Sequence, residues 1–332
     1  MTKPVRVAVV GTGGIAGHHL SQLAELGTVR VEIVALCDVV ETRAVEVAAE
    51  YGGRAFTDPH RMLDETNDLH ALYVCVPPFA HGHGEVEIAA AQRGLHLFVE
   101  KPVVSELEVG QAILDAVRSA GVLSSIGYSL RYTPALQAAR QLLAGQNISM
   151  ICSDRWGGLP GDEDHWWRVY DKSGGQLHEQ TTHQIDSMRW LAGEIAEVHA
   201  RYGHQVSREI DNMTVPDAQV AILQFASGAV GYVSNSCILT QGGGMSNIQA
   251  VMHDARVEVG GREVTVWPEG ALEAPPLPET ENIDAAFIGA IADDQPHRIL
   301  CDYEEGLKSA AVSIAANRSA ETGRPGPCWT GA

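Results

Sequence analysis

The segment from His178 to Asp186 concentrates side chains that can transfer protons. If it is helical, Glu179 and His183 lie four residues apart on one face, with Asp186 one turn further along that side. A carboxylate in that position orients an imidazole and raises its basicity, which leaves the second ring nitrogen to accept the proton of a hydroxyl group. We therefore predict that Glu179 and His183 form a general acid/base pair.

The same segment begins with a His-Glu dipeptide, as zinc-protease motifs do. Its second histidine follows five residues after the first, whereas the zinc motif places its two histidines four apart on one helix face. The six cysteines are scattered, and none forms a Cys-x-x-Cys pair suited to zinc or redox chemistry. We predict no metal site and expect reduced thiols.

Lys101 lies between an apolar run, His96 to Glu100, and Pro102. If that run is a strand of a parallel sheet, a lysine at its carboxyl end points into the crevice where such sheets bind ligands. Its ammonium group can polarise a reacting hydroxyl or share its proton, and Glu100 can hold it in place. The alternative, a solvated surface lysine, is disfavoured by the position between a buried strand and a proline.

A further group of residues is typical of a phosphate-binding turn. After the apolar run Val5 to Val10, the sequence Gly-Thr-Gly-Gly-Ile-Ala-Gly fits G-x-G-x-x-A and leads into a helical pattern. The first glycine permits a tight turn, the second lets the backbone approach a pyrophosphate, and the small alanine lets helix and strand pack closely. The cofactor contacts predicted here are Gly11, Thr12, Gly13, Gly14 and Ile15.

Asp38 closes the next apolar run, Val31 to Cys37, about 20 residues further along the chain, as dinucleotide-binding domains require. A carboxylate there accepts hydrogen bonds from the adenosine ribose hydroxyls and repels a 2′-phosphate. Val39 and Val40 follow and offer no group that binds such a phosphate, so NAD is predicted over NADP. Arg43 is near enough in sequence to leave NADP open.

The elements that must position these residues alternate between strand and helix over the first third of the chain. Apolar strand-like runs occur at 5–10, 31–37, 71–76, 96–100 and 122–127, with helical patterns at 15–26, 42–51, 84–94 and 106–120. Continuous apolar strands between helices imply a parallel sheet covered on both faces. We predict an α/β, doubly wound Rossmann domain over residues 1–128.

Beyond Ser129 the pattern changes to strands separated by glycine turns. Strand-like segments occur at 149–155, 196–202, 218–225, 229–236 and 246–252, and helical patterns at 134–143, 180–191 and 303–322. We predict that residues 129–332 form an α+β domain for substrate binding and oligomerisation, with a large open, mostly antiparallel sheet. An open sheet face is costly to leave exposed, which favours a homo-oligomer, a dimer or a tetramer, formed through it.

Composition and charge exclude several other classes of protein. The chain has 332 residues, 45% hydrophobic and 20% charged, which is typical of a globular protein with two cores. A formal net charge of −19 disfavours nucleic acid and anionic membranes as partners, because both would be repelled. No run reaches membrane-spanning length and the N-terminus enters a strand at once, so we expect a cytoplasmic protein.

Taken together, the motifs resemble the Gfo/Idh/MocA family of NAD(P)-dependent sugar and cyclitol oxidoreductases. The resemblance rests on the glycine loop, on Val-Glu-Lys-Pro at 99–102 preceded by Val-Pro-Pro-Phe-Ala-His at 76–81, and on the segments 127–134 and 173–186. It implies that Lys101 lies beside the nicotinamide. The cofactor contacts that go with it are Pro77, Pro78, His81, Glu100 and Lys101.

The family's histidine segment usually reads D-x-G-x-H, so this chain departs from it at two positions, with Glu179 for the aspartate and Thr181 for the glycine. His183 is retained, which favours a working dehydrogenase. Trp167 and Arg168 resemble the aromatic-arginine segment that leads to the cofactor in this family. Three roles are open for them: lining the nicotinamide site, binding substrate hydroxyls, or packing alone. The predicted substrate contacts are Tyr128, Arg131, His165, Trp167, Arg168 and Gln180.

The predicted reaction is hydride transfer between NAD and a secondary alcohol of a sugar, glycoside or cyclitol such as an inositol. In it, His183 takes the hydroxyl proton and Lys101 stabilises the developing charge, while the protein aligns substrate and cofactor. Two alternatives stay open at this point: a redox-neutral glycosidase that keeps NAD bound, and a non-enzymatic sensor that binds the dinucleotide. Retention of Lys101 and His183 disfavours the sensor.

Overall fold

The structure, a computed structural model, describes residues 3–79, 83–158 and 162–331. The chain forms two compact units. The first comprises Met1–Ser129 and Glu281–Gly306, and the second comprises Leu130–Thr280 and Leu307–Ala332. Within the described ranges, no helix combines the length and the apolar character needed to span a membrane.

The first unit is built on a six-stranded parallel sheet. Its strands are β1 (Val5–Val10), β2 (Val31–Cys37), β3 (Arg54–Phe56), β4 (Ala71–Val74), β5 (His96–Val99) and β6 (Ser124–Ile126). The helices are α1 (Gly14–Leu26), α2 (Glu41–Tyr51), α3 (Pro59–Glu65), α4 (Glu85–Gln92) and α5 (Leu107–Ala120). The strand order is β3-β2-β1-β4-β5-β6, so the winding reverses between β1 and β4, where such a sheet opens a crevice at its carboxyl edge.

Burial in this unit follows the apolar pattern of the sequence. Every residue of β4 is buried, and in β5 only His96 keeps partial exposure, because a doubly wound sheet is covered on both faces. The buried positions of α1 are Ala16, His19, Leu20 and Leu23, which have the three- and four-residue spacing of one helix face. The predicted Rossmann fold is confirmed.

Two short elements of this unit, β3 and α3, are missing from the prediction. β3 has three residues and pairs with the end of β2, so it is too short to show a periodic pattern. α3 begins at Pro59, and the Asp58 side chain caps it by accepting hydrogen bonds from the N–H groups of His60 and Arg61. The Asp-Pro pair was the available signal for this helix.

Residues 281–306 belong to the first unit, whereas the predicted second domain included all of 129–332. They contain α10 (Ile283–Ala292), which contacts α1 and β1. The Phe287 ring of α10 packs edge-on against Tyr73 and Phe98, with ring centroids 5.6 and 5.7 Å away. Helical periodicity shows that a helix is buried but does not show which core it joins, so this return of the chain was not foreseen.

The second unit is built on an eight-stranded sheet. Its strands are β7 (Ile148–Trp156), β8 (Ile195–Gly203), β9 (Ala218–Phe225), β10 (Val230–Ser236), β11 (Met245–Met252), β12 (Ala255–Gly260), β13 (Glu263–Trp267) and β14 (Gly326–Pro327). The helices are α6 (Pro134–Leu143), α7 (Tyr170–Ser173), α8 (Gly175–Glu179), α9 (Thr182–Ala192) and α11 (Tyr303–Thr322), the last of which enters this unit at Leu307. The strand order is β13-β12-β11-β7-β10-β9-β8-β14.

One face of this sheet carries the core of the unit. Residues of β9 alternate strictly between exposed and buried, and its buried apolar residues belong to the core that includes Leu136 of α6 and Ile185 of α9. Among the described strands, β7 and β10 pair in parallel and the other neighbours are antiparallel. The predicted open, mostly antiparallel sheet is confirmed, with β12, β13 and β14 added to the strands foreseen.

Candidate active site

The glycine loop lies at the carboxyl end of β1. Gly11 has a φ of +86°, and a Cβ there would lie 2.5 Å from the carbonyl oxygen of Cys75, so no other residue fits. Gly13 and Gly14 border open space, because a Cβ at either would meet no described atom within 4 Å. Gly14 begins α1, whose first N–H groups have no partner within the helix. The loop therefore supplies the donors and the room that a pyrophosphate requires.

Asp38 follows β2 at the same edge of the sheet and is buried. Its Oδ2 accepts hydrogen bonds from N–H and Oγ1 of Thr12, both at 3.0 Å. Its Oδ1 accepts from the N–H of Val40 at 2.9 Å and pairs with Nη2 of Arg43 at 3.0 Å. Burial on its own would raise the pKa of Asp38, but these donors outweigh it and the pKa is lowered. The carboxylate is therefore ionised and tied to the glycine loop.

Lys101 lies just beyond β5 and is partly buried. Because all six strands are parallel, the residues that follow β1, β2 and β5 share one edge of the sheet. Glu100 is buried, its Oε2 accepts a hydrogen bond from the N–H of Lys101 at 3.1 Å, and its Oε1 lies 3.0 Å from Nε2 of His19. Glu100 therefore holds the backbone of Lys101, and its carboxylate is engaged inside the protein.

The loop after β4 contributes the remaining cofactor residues predicted from the sequence. Pro77 is partly buried and Pro78 is buried, and the preceding Val76 packs against Gly11 of the glycine loop. His81, also predicted as a cofactor contact, lies outside the described residues. The structure thus brings the glycine loop and the β4 loop together.

In the second unit, His183 is the second residue of α9. It keeps partial exposure, whereas every other residue from Thr181 to Arg189 is buried. An imidazole with this placement is held by a rigid helix and is still open to a ligand, which suits proton transfer.

The segment before His183 is not the continuous helix on which the predicted pairing with Glu179 depends. α8 ends at Glu179 and α9 begins at Thr182. The N–H of Thr181 bonds to the carbonyl oxygen of Gln176, five residues back, at 2.9 Å. The helical register therefore slips between Glu179 and His183, and the four-residue spacing no longer defines a common face.

Thr181 stands where the resembling family has glycine. Its φ of −74° and ψ of −7° are right-handed helical values, which any residue adopts, so glycine is not required by the backbone here. Its hydroxyl oxygen is buried and has no hydrogen-bond partner within the described part of the chain. The substitution leaves the local backbone intact and adds a polar group to the interior.

Asp186, which the sequence places on the side of His183, is bonded to other residues. Its carboxylate accepts from Nε and Nη2 of Arg131 at 2.9 and 2.7 Å, and from Oγ of Ser309 at 2.8 Å. Both charged side chains are buried. Arg131 is therefore corrected from a substrate contact to one half of a buried ion pair, because its guanidinium is held inside the unit. The neighbouring Tyr128, predicted as a substrate contact as well, is likewise fully buried.

Glu179 and His178 are both hydrogen-bonded to other side chains of the protein. Glu179 is buried, and its Oε2 accepts from Nε2 of Gln180 at 2.6 Å. His178 is structural: the Ser313 hydroxyl donates to the carbonyl of Ala310, so it accepts from Nδ1 of His178 at 2.8 Å. Within the described residues, no group of three or more His, Cys, Asp or Glu side chains is arranged to hold a metal ion.

The aromatic segment His165 to Arg168 forms a short 3-10 turn whose side chains are partly exposed. Nδ1 of His165 accepts from the N–H of Trp167 at 3.3 Å, and the two rings meet edge to face with centroids 5.2 Å apart. The carbonyl of Arg168 accepts from the N–H of Thr214 at 2.8 Å, which anchors the turn. These side chains, with Gln180, are the predicted substrate contacts that stay accessible.

Two buried polar groups of the second unit were missed by sequence reasoning. The Asn235 amide in β10 is buried, and neither its nitrogen nor its oxygen has a hydrogen-bond partner among the described residues. Oε1 of Gln184, on α9 next to His183, is likewise buried without a hydrogen-bond partner among the described residues. Buried amides are normally paired, so these atoms are candidates for a ligand or water. The available signal for Asn235 was an amide side chain within a predicted strand.

Comparison with known families decides the identity of the fold. Residues 5–128 match the sequence model of the Gfo/Idh/MocA oxidoreductase family, described as an NAD-binding Rossmann fold, and residues 136–266 match that family's C-terminal domain. The chain belongs to the Gfo/Idh/MocA family. It is accordingly an NAD-binding oxidoreductase, as the glycine loop and Asp38 indicated.

Individual relatives of this Gfo/Idh/MocA protein are distant. It is 29% identical over 277 residues to scyllo-inositol 2-dehydrogenase (NAD(+)) of Bacillus subtilis, covering 80% of this chain and 74% of that one. It is 28% identical over 276 residues to myo-inositol 2-dehydrogenase of Thermotoga maritima, covering 81% and 76%. The WlbA dehydrogenase of Chromobacterium violaceum, solved with NADH and UDP-GlcNAcA, shares the fold with a TM-score of 0.85, 22% identity and coverage of 99% and 97%.

The first unit of this family member fits NAD on its own geometry. The open space at Gly13 and Gly14 and the N-terminus of α1 suit the pyrophosphate. The ionised Asp38 suits the adenosine ribose, and Arg43 already pairs with it at 3.0 Å. NAD is the cofactor that this donor set favours over NADP.

Proposed function

We propose that this NAD-dependent dehydrogenase oxidises a secondary alcohol of a cyclitol or sugar, with Lys101 and His183 as its catalytic residues. One observation carries the proposal: Lys101 stands at the sheet edge shared by the glycine loop and Asp38, held there by Glu100. A cation at this edge lies at the level where a dinucleotide-binding sheet holds its cofactor.

The chemistry assigned to the chain is proton transfer and charge stabilisation. NAD, when bound, accepts a hydride from the carbinol carbon of the substrate. His183 accepts the hydroxyl proton, for which its partial exposure on α9 is suited. Lys101 stabilises the negative charge that develops on the oxygen.

Glu179 is proposed to assist His183, although the two residues do not share one continuous helix. Its carboxylate is buried at the end of α8, one helix junction before His183, and is bonded to Gln180. A buried negative charge near an imidazole favours the protonated form that arises during oxidation. Glu179→Gln should therefore shift the acid limb of the pH–rate profile to lower pH.

A hydroxyl-rich substrate is supported by the side chains that stay accessible in the second unit. His165, Arg168 and Gln180 offer donors and acceptors, and Trp167 offers an apolar face of the kind on which sugar rings stack. Two of the relatives named above are inositol dehydrogenases, which makes inositols the first compounds to test.

The test is NADH formation with a panel of inositols, aldoses and glycosides, using the wild type and two pairs of variants. Lys101→Met and His183→Asn should each lower kcat by about 100- to 10,000-fold, the usual contribution of a positioned proton-transfer group, while NADH still binds. The matched controls Lys172→Met and His253→Asn change exposed side chains and should retain full activity.

The outcomes separate the candidate functions. Turnover of a polyol that survives in Lys101→Met would reject the assignment of Lys101. Absence of turnover across the panel, with NADH binding intact, would reject the proposal that the protein is a polyol dehydrogenase. Release of nitrophenol from a nitrophenyl glycoside without net NADH would point instead to a redox-neutral glycosidase.

We also propose that a second copy of the chain covers the exposed face of the eight-stranded sheet. Val220, Ile222 and Val230 on β9 and β10 are exposed at 45%, 58% and 47%. The adjacent polar groups are paired among themselves: Oη of Tyr232 donates to Asp154 at 3.3 Å. A sheet face with this mixture of apolar and satisfied polar groups suits a subunit interface.

A reducing cellular compartment is part of the proposal. The six cysteines all lie within the described residues, all are buried, and none pairs with another. Burial raises the pKa of the Cys75 thiol far above its ordinary value, and it raises that of Cys37 to about 12, so these thiols are unreactive. These observations support the cytoplasm as the location.

A further inference from the structure

His19 is a buried histidine whose two ring nitrogens both face carboxylates. It lies on the inner face of α1 and is 3% exposed. Nε2 is 3.0 Å from Oε1 of Glu100, and Nδ1 is 2.9 and 3.0 Å from the two carboxylate oxygens of Asp284. The ring also meets Phe98 edge-on, with centroids 4.7 Å apart. The imidazole thus joins α10 to the end of β5.

This geometry favours the imidazolium form when both carboxyl groups are ionised. A neutral imidazole has one N–H donor and one acceptor, and a nitrogen without hydrogen would repel the carboxylate that it faces. Burial by itself lowers the pKa of His19, but the hydrogen bonds to Asp284 and Glu100 outweigh it and raise the pKa to about 10. Three other titratable groups face the cluster. The Tyr73 hydroxyl and the Cys75 thiol are buried and have raised pKa values, and the exposed His18 ring meets the His19 ring edge-on with centroids 5.8 Å apart.

Glu100 transmits this arrangement to Lys101. Its Oε2 accepts from the N–H of Lys101 at 3.1 Å, so the carboxylate bridges the His19 ring and the Lys101 backbone. Gly127, at the end of β6, leaves the space that this carboxylate fills, because a Cβ there would overlap the Glu100 oxygens. The position of the carboxylate is therefore set from two sides.

A second buried histidine fixes the chain on the other side of Lys101. Nε2 of His83 donates to the carbonyl oxygen of Val103 at 2.8 Å, and its Nδ1 lies 2.5 Å from Oε1 of Glu87. The backbone is therefore held on both sides of the Lys101 side chain. The N–H of Lys101 is bonded to Glu100, and the carbonyl of Val103 is bonded to His83. A residue held in this manner loses little conformational entropy when it engages a ligand.

We propose that His19 is a positioning residue for the reaction: as an imidazolium bridge from Asp284 to Glu100, it fixes the turn from which Lys101 extends. The proposal rests on the assignment of Lys101 in the proposed function. It also gives the segment 281–306 a purpose, because α10 brings the second carboxylate that the bridge needs.

Two variants and a control test this bridge. His19→Gln removes the cation and leaves two buried carboxylates, so the protein is also made as His19→Gln/Asp284→Asn, in which the cluster carries one negative charge, as it does in the wild type. His60→Gln, at an exposed position of α3 in the same unit, is the matched control. NADH affinity, kcat on the identified polyol, the pH–rate profile and the Lys101 amide are measured in each.

We expect kcat to fall by about 10- to 100-fold in both bridge variants, because small displacements of a catalytic group have effects of this size. The alkaline limb of the pH–rate profile should move, NADH affinity should stay within about threefold, and hydrogen exchange at the Lys101 amide should accelerate at least tenfold. In wild-type protein, NMR should show two protonated ring nitrogens on His19 at pH 8. His60→Gln should match the wild type in all four measurements.

Three results would overturn the proposal. A His19 ring that is neutral at pH 8 would remove the imidazolium. Unchanged Lys101 amide exchange in both variants would show that the bridge does not reach Lys101. Full recovery of kcat and of the pH profile in the double variant would show that His19 stabilises the fold and does not position Lys101. The NMR and exchange measurements do not need turnover, so failure of the proposed function, seen as an inactive wild type, is distinguished from failure of the bridge.

Discussion

Replacement of Asp38 by alanine should change the cofactor preference of this oxidoreductase. Four donors surround the Asp38 carboxylate at 2.9 to 3.0 Å: the N–H and hydroxyl of Thr12, the N–H of Val40 and the guanidinium of Arg43. In Asp38→Ala these donors remain, but the negative charge is gone. The same set of donors is then suited to the 2′-phosphate of NADP.

The size of the effect follows from the charges involved. A carboxylate and a phosphate about 4 Å apart repel each other by about 1 kcal/mol in bulk water and by about 4 kcal/mol near a protein surface. Relief of this repulsion should therefore tighten NADPH binding by about 5- to 900-fold. Loss of hydrogen bonds from the ribose hydroxyls to a charged acceptor should weaken NADH binding by about 1.5 to 3 kcal/mol, or about 10- to 150-fold. We therefore expect the ratio of the two Kd values to shift by at least about 50-fold.

Binding is measured by the fluorescence of NADH and NADPH, which needs no substrate. Asp38→Asn, which removes the charge and keeps the size, separates repulsion from hydrogen bonding. Asp38→Ala/Arg43→Ala should lose most of the gain for NADPH, because the guanidinium is the one cation in the set. A Kd ratio in Asp38→Ala within threefold of the wild-type ratio would refute this account of cofactor choice.

Three further predictions concern stability and assembly. Asp186→Asn leaves the buried Arg131 cation without its carboxylate and should lower the free energy of unfolding by about 3 to 5 kcal/mol, seen as a fall of roughly 6 to 20 °C in calorimetry; a loss below 1 kcal/mol would contradict it. Because the pKa of His19 is raised from 6.5 to about 10, its stabilising effect is fully present below pH 6.5 and is lost as the pH rises through 10; denaturant titrations should show this decline in the wild type and not in His19→Gln/Asp284→Asn. Ile222→Glu should reduce the molar mass measured by light scattering to that of one chain with NADH binding intact, and an unchanged mass would argue against an interface on this sheet face.

Much of the fold was readable from local patterns. The bounds of β1, β2, β9, α6 and α11 match the predicted segments to the residue, because each is a long run with a clear period of two or 3.6, or a continuous apolar run, between turn signals. Short elements such as β3 and β14 were missed, since three or two residues cannot show a period.

Some residues of the candidate site could be predicted from local sequence, and the contacts between distant residues could not. The glycine loop, Asp38 and Lys101 were foreseen because each follows a strand of a parallel sheet, and the carboxyl ends of such strands share one edge. The pairing of Glu179 with His183 assumed a helix that the structure breaks between them. From sequence, Arg131 is predicted as a substrate contact, because the sequence does not show that a carboxylate 55 residues away neutralises it.

By itself, the sequence determined the Rossmann fold and the NAD-binding loop, because these depend on residues close together in the chain and on hydrophobic periodicity. The family was indicated by the resemblance of short motifs. Only the tertiary structure decided which buried charges pair. The bridge from Asp284 through His19 to Glu100 joins residues up to 265 positions apart, and the pair of Arg131 and Asp186 is formed across two elements. The reason is physical: a buried ion is tolerated only where a partner of opposite charge is brought to it, and that meeting is set by packing and not by local sequence.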